Sequence, residues 1–348
     1  MNPDQSKTST RKKEHLELCK TDKVKFKTKT TGFENYEFKH YAITGVDIDK
    51  IEFKTRFLNK KINFPFLISC MTGGTDEANN INAQLAVVAE NLGIPIGVGS
   101  QRQAIENDRF SRSFKVVREN APNVPVLSNI GAAQVVQLKS ISPLQKIIDM
   151  IEADALVIHI NPLQELLQDE GEINFKGLLK KIRTIVKKIK IPIIAKEVGA
   201  GISYEAAKKL LEVGVKGIDV SGAGGTSWAG VEILRTKKNK DNHFWDWGLP
   251  TSFCIKEVFK LKKKFKFTLV GSGGISNGLD AAKALALGAD FVASARPVLM
   301  QLNSVGIQGT EKFIEDIFNE IKQIMFLTGS KNLKELRNKK LLEWKFLR

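Results

Sequence analysis

FTLVGSGGISNGLDAAKALALGADFVASA, residues 267–295, decides the fold. An apolar run at 267–273 gives way to a glycine-rich turn. Asn277 can then cap a helix over LDAAKALAL, Gly288 ends it, and a second apolar run follows at 291–295. Strand, turn, helix and strand in so short a span form one unit of an alternating α/β chain.

Working outward, the same rhythm recurs upstream. Apolar runs stand at FPFLISCM (64–71), IPIGVG (94–99), VPVLSNIG (124–131), ALVIHIN (155–161), IPIIAKEV (191–198) and GIDVSG (217–222). With the two runs above they make eight strands. Near-continuous hydrophobicity is the mark of strands buried on both faces. Helical signals fill the gaps: Ser203 can cap YEAAKKLLEV, with Glu205 in its first turn and Gly214 at its end. The repetition predicts an α/β fold, a closed (β/α)8 TIM barrel over 62–348. Residues 11–61 form an N-terminal extension without a strong period, and residues 1–10 a polar, mobile tail. A doubly wound open sheet uses similar units, but its usual dinucleotide signature near a first strand is missing.

Barrel enzymes gather their chemistry where the strands end. Here polar residues stand at all eight ends: Thr72-Gly73-Gly74, Ser100-Gln101-Arg102, Ser128-Asn129, His159 with Asn161, Lys196-Glu197, Ser221, Gly273-Gly274, and Ala295-Arg296.

Composition narrows the partners. Hydrophobic residues make up 42% of the 348 and charged residues 26%, which is ordinary globular material. No run approaches the roughly 20 apolar residues that span a bilayer. MNPDQSKTSTRKKEH carries no apolar signal core, so a cytoplasmic location is expected. Three scattered cysteines, Cys19, Cys70 and Cys254, suit neither a disulfide framework nor a metal site. The net charge of +16 invites a nucleic-acid reading. Yet the lysines of 176–190 and 256–266 alternate with apolar residues at helical spacing, as solvated faces do. Neither nucleic acid nor membrane is the expected partner; a small anion is.

VGSGGISNG (270–278) leaves a strand and enters a helix, so its backbone N–H groups can cradle a phosphate. A turn that merely packs tightly would also need these glycines. Lys196 sits inside an apolar strand, which is costly without an anionic partner or a shifted pKa. It reads either as a Schiff-base lysine or as a fixed cation beside an electron-rich cofactor ring. In DVSGAGGTSW (219–228), glycines allow close backbone approach while Ser221 and Thr226 offer hydroxyls.

MTGG (71–74), VGSQR (98–102), HINPLQE (159–165), KEVGAG (196–201), SGAGGTSW (221–228) and RKKEH (11–15) stand in the order found in type 2 isopentenyl-diphosphate isomerases. The chain resembles that family from Arg11 through its last strand. The resemblance implies an FMN-dependent barrel, active with reduced flavin, that uses NADPH or NADH as reductant and requires Mg2+. It implies FMN contacts from Met71, Thr72, Gly73, Ser100, Asn129, Lys196, Ser221, Thr226, Gly273, Gly274, Ala295 and Arg296. The diphosphate substrate falls to Arg11, Lys12, His15, Ser100, Gln101, Arg102, His159, Asn161 and Gln164, and the metal to Glu165. Gln164, Lys196 and Glu232 are the expected catalytic side chains. A homo-oligomer, tetramer or octamer, is implied as well.

Each residue also has a plainer reading. RKKEH alone suits a solvated basic turn, His159 a satisfied strand-end histidine, and Glu165 a loop cap. An FMN oxidoreductase of the 2-hydroxyacid oxidase type would share the cradle and Lys196, but needs neither RKKEH nor the Gln-Glu pair. A guanylate-pathway dehydrogenase barrel would need a cysteine after strand six, where Thr226 and Ser227 stand.

Overall fold

The computed structural model describes residues 3–236 and 243–343. Eight strands close into a barrel: β1 (Phe66–Ile68), β2 (Ile96–Gly97), β3 (Val126–Gly131), β4 (Ala155–Ile160), β5 (Ile193–Glu197), β6 (Gly217–Asp219), β7 (Thr268–Ser272) and β8 (Phe291–Ser294). Neighbours run parallel throughout, and β8 closes on β1 by pairing Val292 with Phe66 and Ser294 with Ile68. The expected α/β barrel is therefore the observed one. Both helix caps read from the sequence also form, Ser203 accepting from Ala206 N and Asn277 from Asp280 N.

Side-chain alternation divides each strand between two environments. Leu127, Val157, Ile194, Val270 and Ala293 point inward and pack together at the base of the barrel. An antiparallel hairpin, Thr55–Phe57 with Lys60–Ile62, plugs that base with Phe57 and Ile62, both almost fully buried. Two residues further along each strand, the inward positions turn polar: Asn129, His159, Lys196 and Ser272. Asp219 completes this layer, because register pairs His159 with Lys196 and Lys196 with Asp219.

The N-terminal segment does more than precede the barrel. A helix, Pro3–Cys19, lies at the mouth, anchored by buried Leu16 and by Lys20 on Glu77 at 2.6 Å. It begins inside the stretch read as a polar tail. Proline suits a first helical turn, and docking stabilises a helix whose composition alone would not. Tyr36–Phe38 pairs with Leu341–Glu343, joining this segment to the far end of the chain. Among the described residues, no helix is long and apolar enough to cross a membrane.

Candidate active site

A cavity of about 710 Å³ opens at the C-terminal ends of the strands. That is within the roughly 300–1,000 Å³ of small-molecule sites. All but two of the residues that the family resemblance assigned to the site line it. The exceptions have clear causes.

Gln101 turns away from the cavity and is fully buried. Its Oε1 accepts from Ser128 Oγ and Asn129 N, and its Nε2 donates to Ile147 O. It braces β3 from outside the barrel, and its side chain is not one that the cavity brings together. Glu232 lies behind the wall, fully buried, with Oε1 2.9 Å from His15 Nε2 and Oε2 accepting from Arg235 Nε at 2.8 Å. Burial works to raise this carboxyl, but His15 and Arg235 outweigh it and hold it below the usual range. Gln164 Nε2, at 3.4 Å, links Glu232 to the cavity.

One side of the site is built from glycine loops. Gly273 and Gly274 have φ of 104° and 77°, a region that favours glycine. A Cβ at Gly273 would stand 2.2 Å from Gly222 O, and one at Gly225 2.4 Å from Gly274 N. The loops after β6 and β7 interlock, so tight packing accounts for these glycines by itself. What points to an anion is their place: Gly273, Gly274, Ala295 and Arg296 line one cavity, at the start of the helix Arg296–Leu327. The Arg296 guanidinium itself bonds Cys19 O, Thr21 O and Asp22, clamping the end of the N-terminal helix.

Lys196 enters from β5, 8% exposed, and donates to Glu197 O at 2.7 Å and Ser221 Oγ at 3.1 Å. Ser221 has φ of 38°, strained for a non-glycine residue, as functional loops often are. Glu197 points away from Lys196 and accepts the backbone N–H groups of Val198, Gly199, Ala200 and Gly201, which shapes the loop KEVGAG. The anionic partner that sequence reasoning required but did not name is Asp219, its Oδ2 3.9 Å from Lys196 Nζ. Strand alternation turns Asp219 inward, but only barrel register sets it opposite Lys196.

The opposite side gathers cations and amides. Lys12 reaches down from the N-terminal helix to Gly73 O at 2.6 Å and Ser100 O at 3.2 Å. Burial, with the neighbouring Arg11 charge, lowers its ammonium to about 7. Arg11 meets Gln168, which in its satisfied amide orientation accepts from Arg11 Nη1 at 2.9 Å. Arg102 pairs with Glu106 at 2.8 Å and Glu172 at 3.0 Å. His159 Nδ1 lies 2.9 Å from Asn129 Oδ1, and burial beside Lys196 and Lys12 pushes the ring down to about 4. His15 stands edge-on to Trp228 at 5.2 Å, and this tryptophan also lines the cavity.

Glu165 is nearly buried, accepting from Asn161 Nδ2 at 3.1 Å and Glu172 N at 2.8 Å. It therefore does cap the following loop. Beside it, Asn161 Oδ1 is buried without a hydrogen-bond partner. Among the described residues, no three His, Cys, Asp or Glu side chains are grouped to hold a metal by themselves. One carboxylate and one orphaned amide oxygen do suit a hard cation completed by substrate oxygens.

The FMN-dependent dehydrogenase family model matches residues 160–343. An isopentenyl-diphosphate delta-isomerase of Pelodictyon phaeoclathratiforme is 42% identical, covering 97% of this chain and 98% of that one. One from Nostoc sp. is 43% identical, with 97% and 98% covered. Among solved structures, a flavocytochrome b2 shares the fold with a TM-score of 0.68 at 22% identity, over 93% of this chain and 81% of that one. A mandelate oxidase gives 0.66 at 14%, over 98% of each.

Proposed function

The chain belongs to the isopentenyl-diphosphate delta-isomerase family, and we propose that it interconverts isopentenyl and dimethylallyl diphosphate on bound FMN. One observation carries the reading. A single cavity joins a flavin-type half, with Lys196 and the glycine loops, to a cationic half, with Arg11, Lys12 and Arg102. A 2-hydroxyacid oxidase would need only the first half.

FMN fits the residues present. The helix start at Ala295 and Arg296, with Gly273 and Gly274, would hold its phosphate; Met71, Thr72, Gly73, Ser100, Asn129, Ser221 and Thr226 would surround its ring. Lys196 would stand as a fixed cation at the ring. At about 4 Å and an effective dielectric near 20, such a pair is worth about 4 kcal/mol, enough to favour an anionic reduced ring. When bound and reduced, FMN supplies an acid and base strong enough for an unactivated alkene.

The chain's own side chains do the rest. Arg11, Lys12, Ser100, Arg102, His159, Asn161 and Gln164 would hold the diphosphate, and Glu165 with Asn161 Oδ1 would hold Mg2+. Burial beside Lys196 and Lys12 keeps His159 neutral in the free chain. The reaction adds a proton at the terminal alkene carbon and removes one from the carbon beside the diphosphate-bearing methylene. Gln164, linked to Glu232, forms a side-chain relay behind the reacting carbons, with His15 fixing Glu232. NADPH or NADH would reduce the flavin without net consumption per turnover. A cytoplasmic homo-oligomer, tetramer or octamer, completes the proposal.

Lys196→Ala tests the cofactor half. Weaker FMN binding and a turnover loss of at least about 100-fold are expected, within the ceiling of the charge pair above. Full affinity together with full turnover would refute the role.

A further inference from the structure

Asp219 is 1% exposed and carries two unlike oxygens. Oδ1 accepts from Ser272 Oγ on β7, which fixes the carboxylate plane. Oδ2 is buried without a hydrogen-bond partner and faces Lys196 Nζ at 3.9 Å. Register places the two residues directly opposite one another on β5 and β6. The ammonium itself bonds a carbonyl and a hydroxyl, neither of which carries charge. A buried lysine held by neutral acceptors alone would tend to shed its proton.

We propose that Asp219 is a positioning residue for Lys196: it keeps the ammonium charged, and aimed into the cavity, while the neighbouring ring is neutral. The inference rests on the flavin reading of the cavity. Once the ring becomes anionic, it takes over as counter-ion, and Lys196 then has two negative neighbours. The pair therefore keeps one charge constant through the flavin's redox change.

Other groups face this pair. His159 on β4 pairs in register with Lys196. It gains a proton only near 4, while burial raises the Cys70 thiol to about 12. Neither changes charge across the neutral range. Glu197 shares a strand with Lys196, and its carboxylate is committed to backbone N–H groups. Burial raises the Asp219 carboxyl as well, with Lys196 and Ser272 pulling it down.

Two readouts test the pair. In the cofactor-free chain, a 15N-lysine titration, with Lys196 assigned from the Lys196→Met spectrum, measures its proton directly. Asp219→Asn is expected to move that titration down by about one pH unit or more, the effect of losing an opposite charge at this range. In FMN-loaded protein, the potential is measured against pH during anaerobic dithionite titration. Oxidised flavin takes two electrons and one proton to reach its monoanionic reduced form, so the wild type follows a one-proton slope. In Asp219→Asn, at pH values between the variant's lysine titration and that of the wild type, a second proton goes onto Lys196 as the ring becomes anionic, and there the slope doubles. Asp219→Glu restores the one-proton slope, and in a Lys196→Met background Asp219→Asn changes nothing.

An unmoved lysine titration, or a doubled slope that persists without Lys196, overturns the proposal. If Asp219→Asn does not fold, Asp219→Ser is measured in its place against the same outcomes. Wild-type protein that takes up no FMN contradicts the flavin reading, and the pairing is then judged on the lysine titration alone.

Discussion

Lys12 is a half-buried ammonium that donates to two backbone carbonyls, Gly73 O and Ser100 O, and stands over the Phe114 ring at 5.8 Å. An anion entering the cavity would find a cation already half desolvated, a costly state that binding relieves. Because burial lowers this group to about 7, its charge is lost as pH rises through that value. The profile of kcat/KM reports the free enzyme, so kcat/KM for the diphosphate should fall above about pH 7. Lys12→Arg keeps its charge and should remove that alkaline limb. A limb that survives in Lys12→Arg would assign it to another group. None of this was legible in RKKEH, which by itself equally suits a solvated turn. Burial, and not residue type, sets the proton, and burial here depends on where a helix docks.

At the scale of elements, the molecule separates binding from folding. The N-terminal helix brings Arg11, Lys12 and His15 to the mouth but adds no strand to the barrel, whose first strand starts at Phe66. A chain lacking residues 1–20 should therefore still fold and bind FMN. Losing two charge-assisted contacts, each worth about 1.5–3 kcal/mol, should raise the KM for diphosphate by at least about 100-fold. Equal loss of FMN would show that the helix, through the Arg296 clamp, also builds the flavin half. The hairpin plug has the opposite role. Phe57 is 3% exposed at the base, far from the mouth, so Phe57→Ala should cost about 3–5 kcal/mol in denaturant unfolding. Its kcat should hold at temperatures where it remains folded.

These two elements mark where sequence reading stopped. The eight strands announced themselves, because parallel strands buried on both faces are apolar over most of their length. The N-terminal helix and the hairpin have no such constraint. Each buries a few residues, Leu16 in one and Phe57 and Ile62 in the other, and such brief signals do not rise above a mixed, basic segment. Asp219 was hidden for a related reason. Its partner lies on another strand, and only the register of a closed barrel brings the two together. Gln101 shows the reverse limit, since a strand-end glutamine inside a matching motif can turn its side chain outward and brace the neighbouring strand.

The whole molecule gathers Lys196 with the glycine loops, and Arg11, Lys12 and Arg102, in one cavity, on a barrel fold that a mandelate oxidase shares. The central claim is that this barrel here moves protons without net oxidation. It is tested by incubating FMN-loaded protein anaerobically with NADPH, Mg2+ and isopentenyl diphosphate, following product and flavin absorbance together. The account predicts many turnovers to dimethylallyl diphosphate with the flavin reduced throughout, and NADPH consumed only to reduce it once. Reduced, flavin-loaded protein that forms no dimethylallyl diphosphate, yet whose oxidised flavin is bleached by a 2-hydroxy acid, would contradict it.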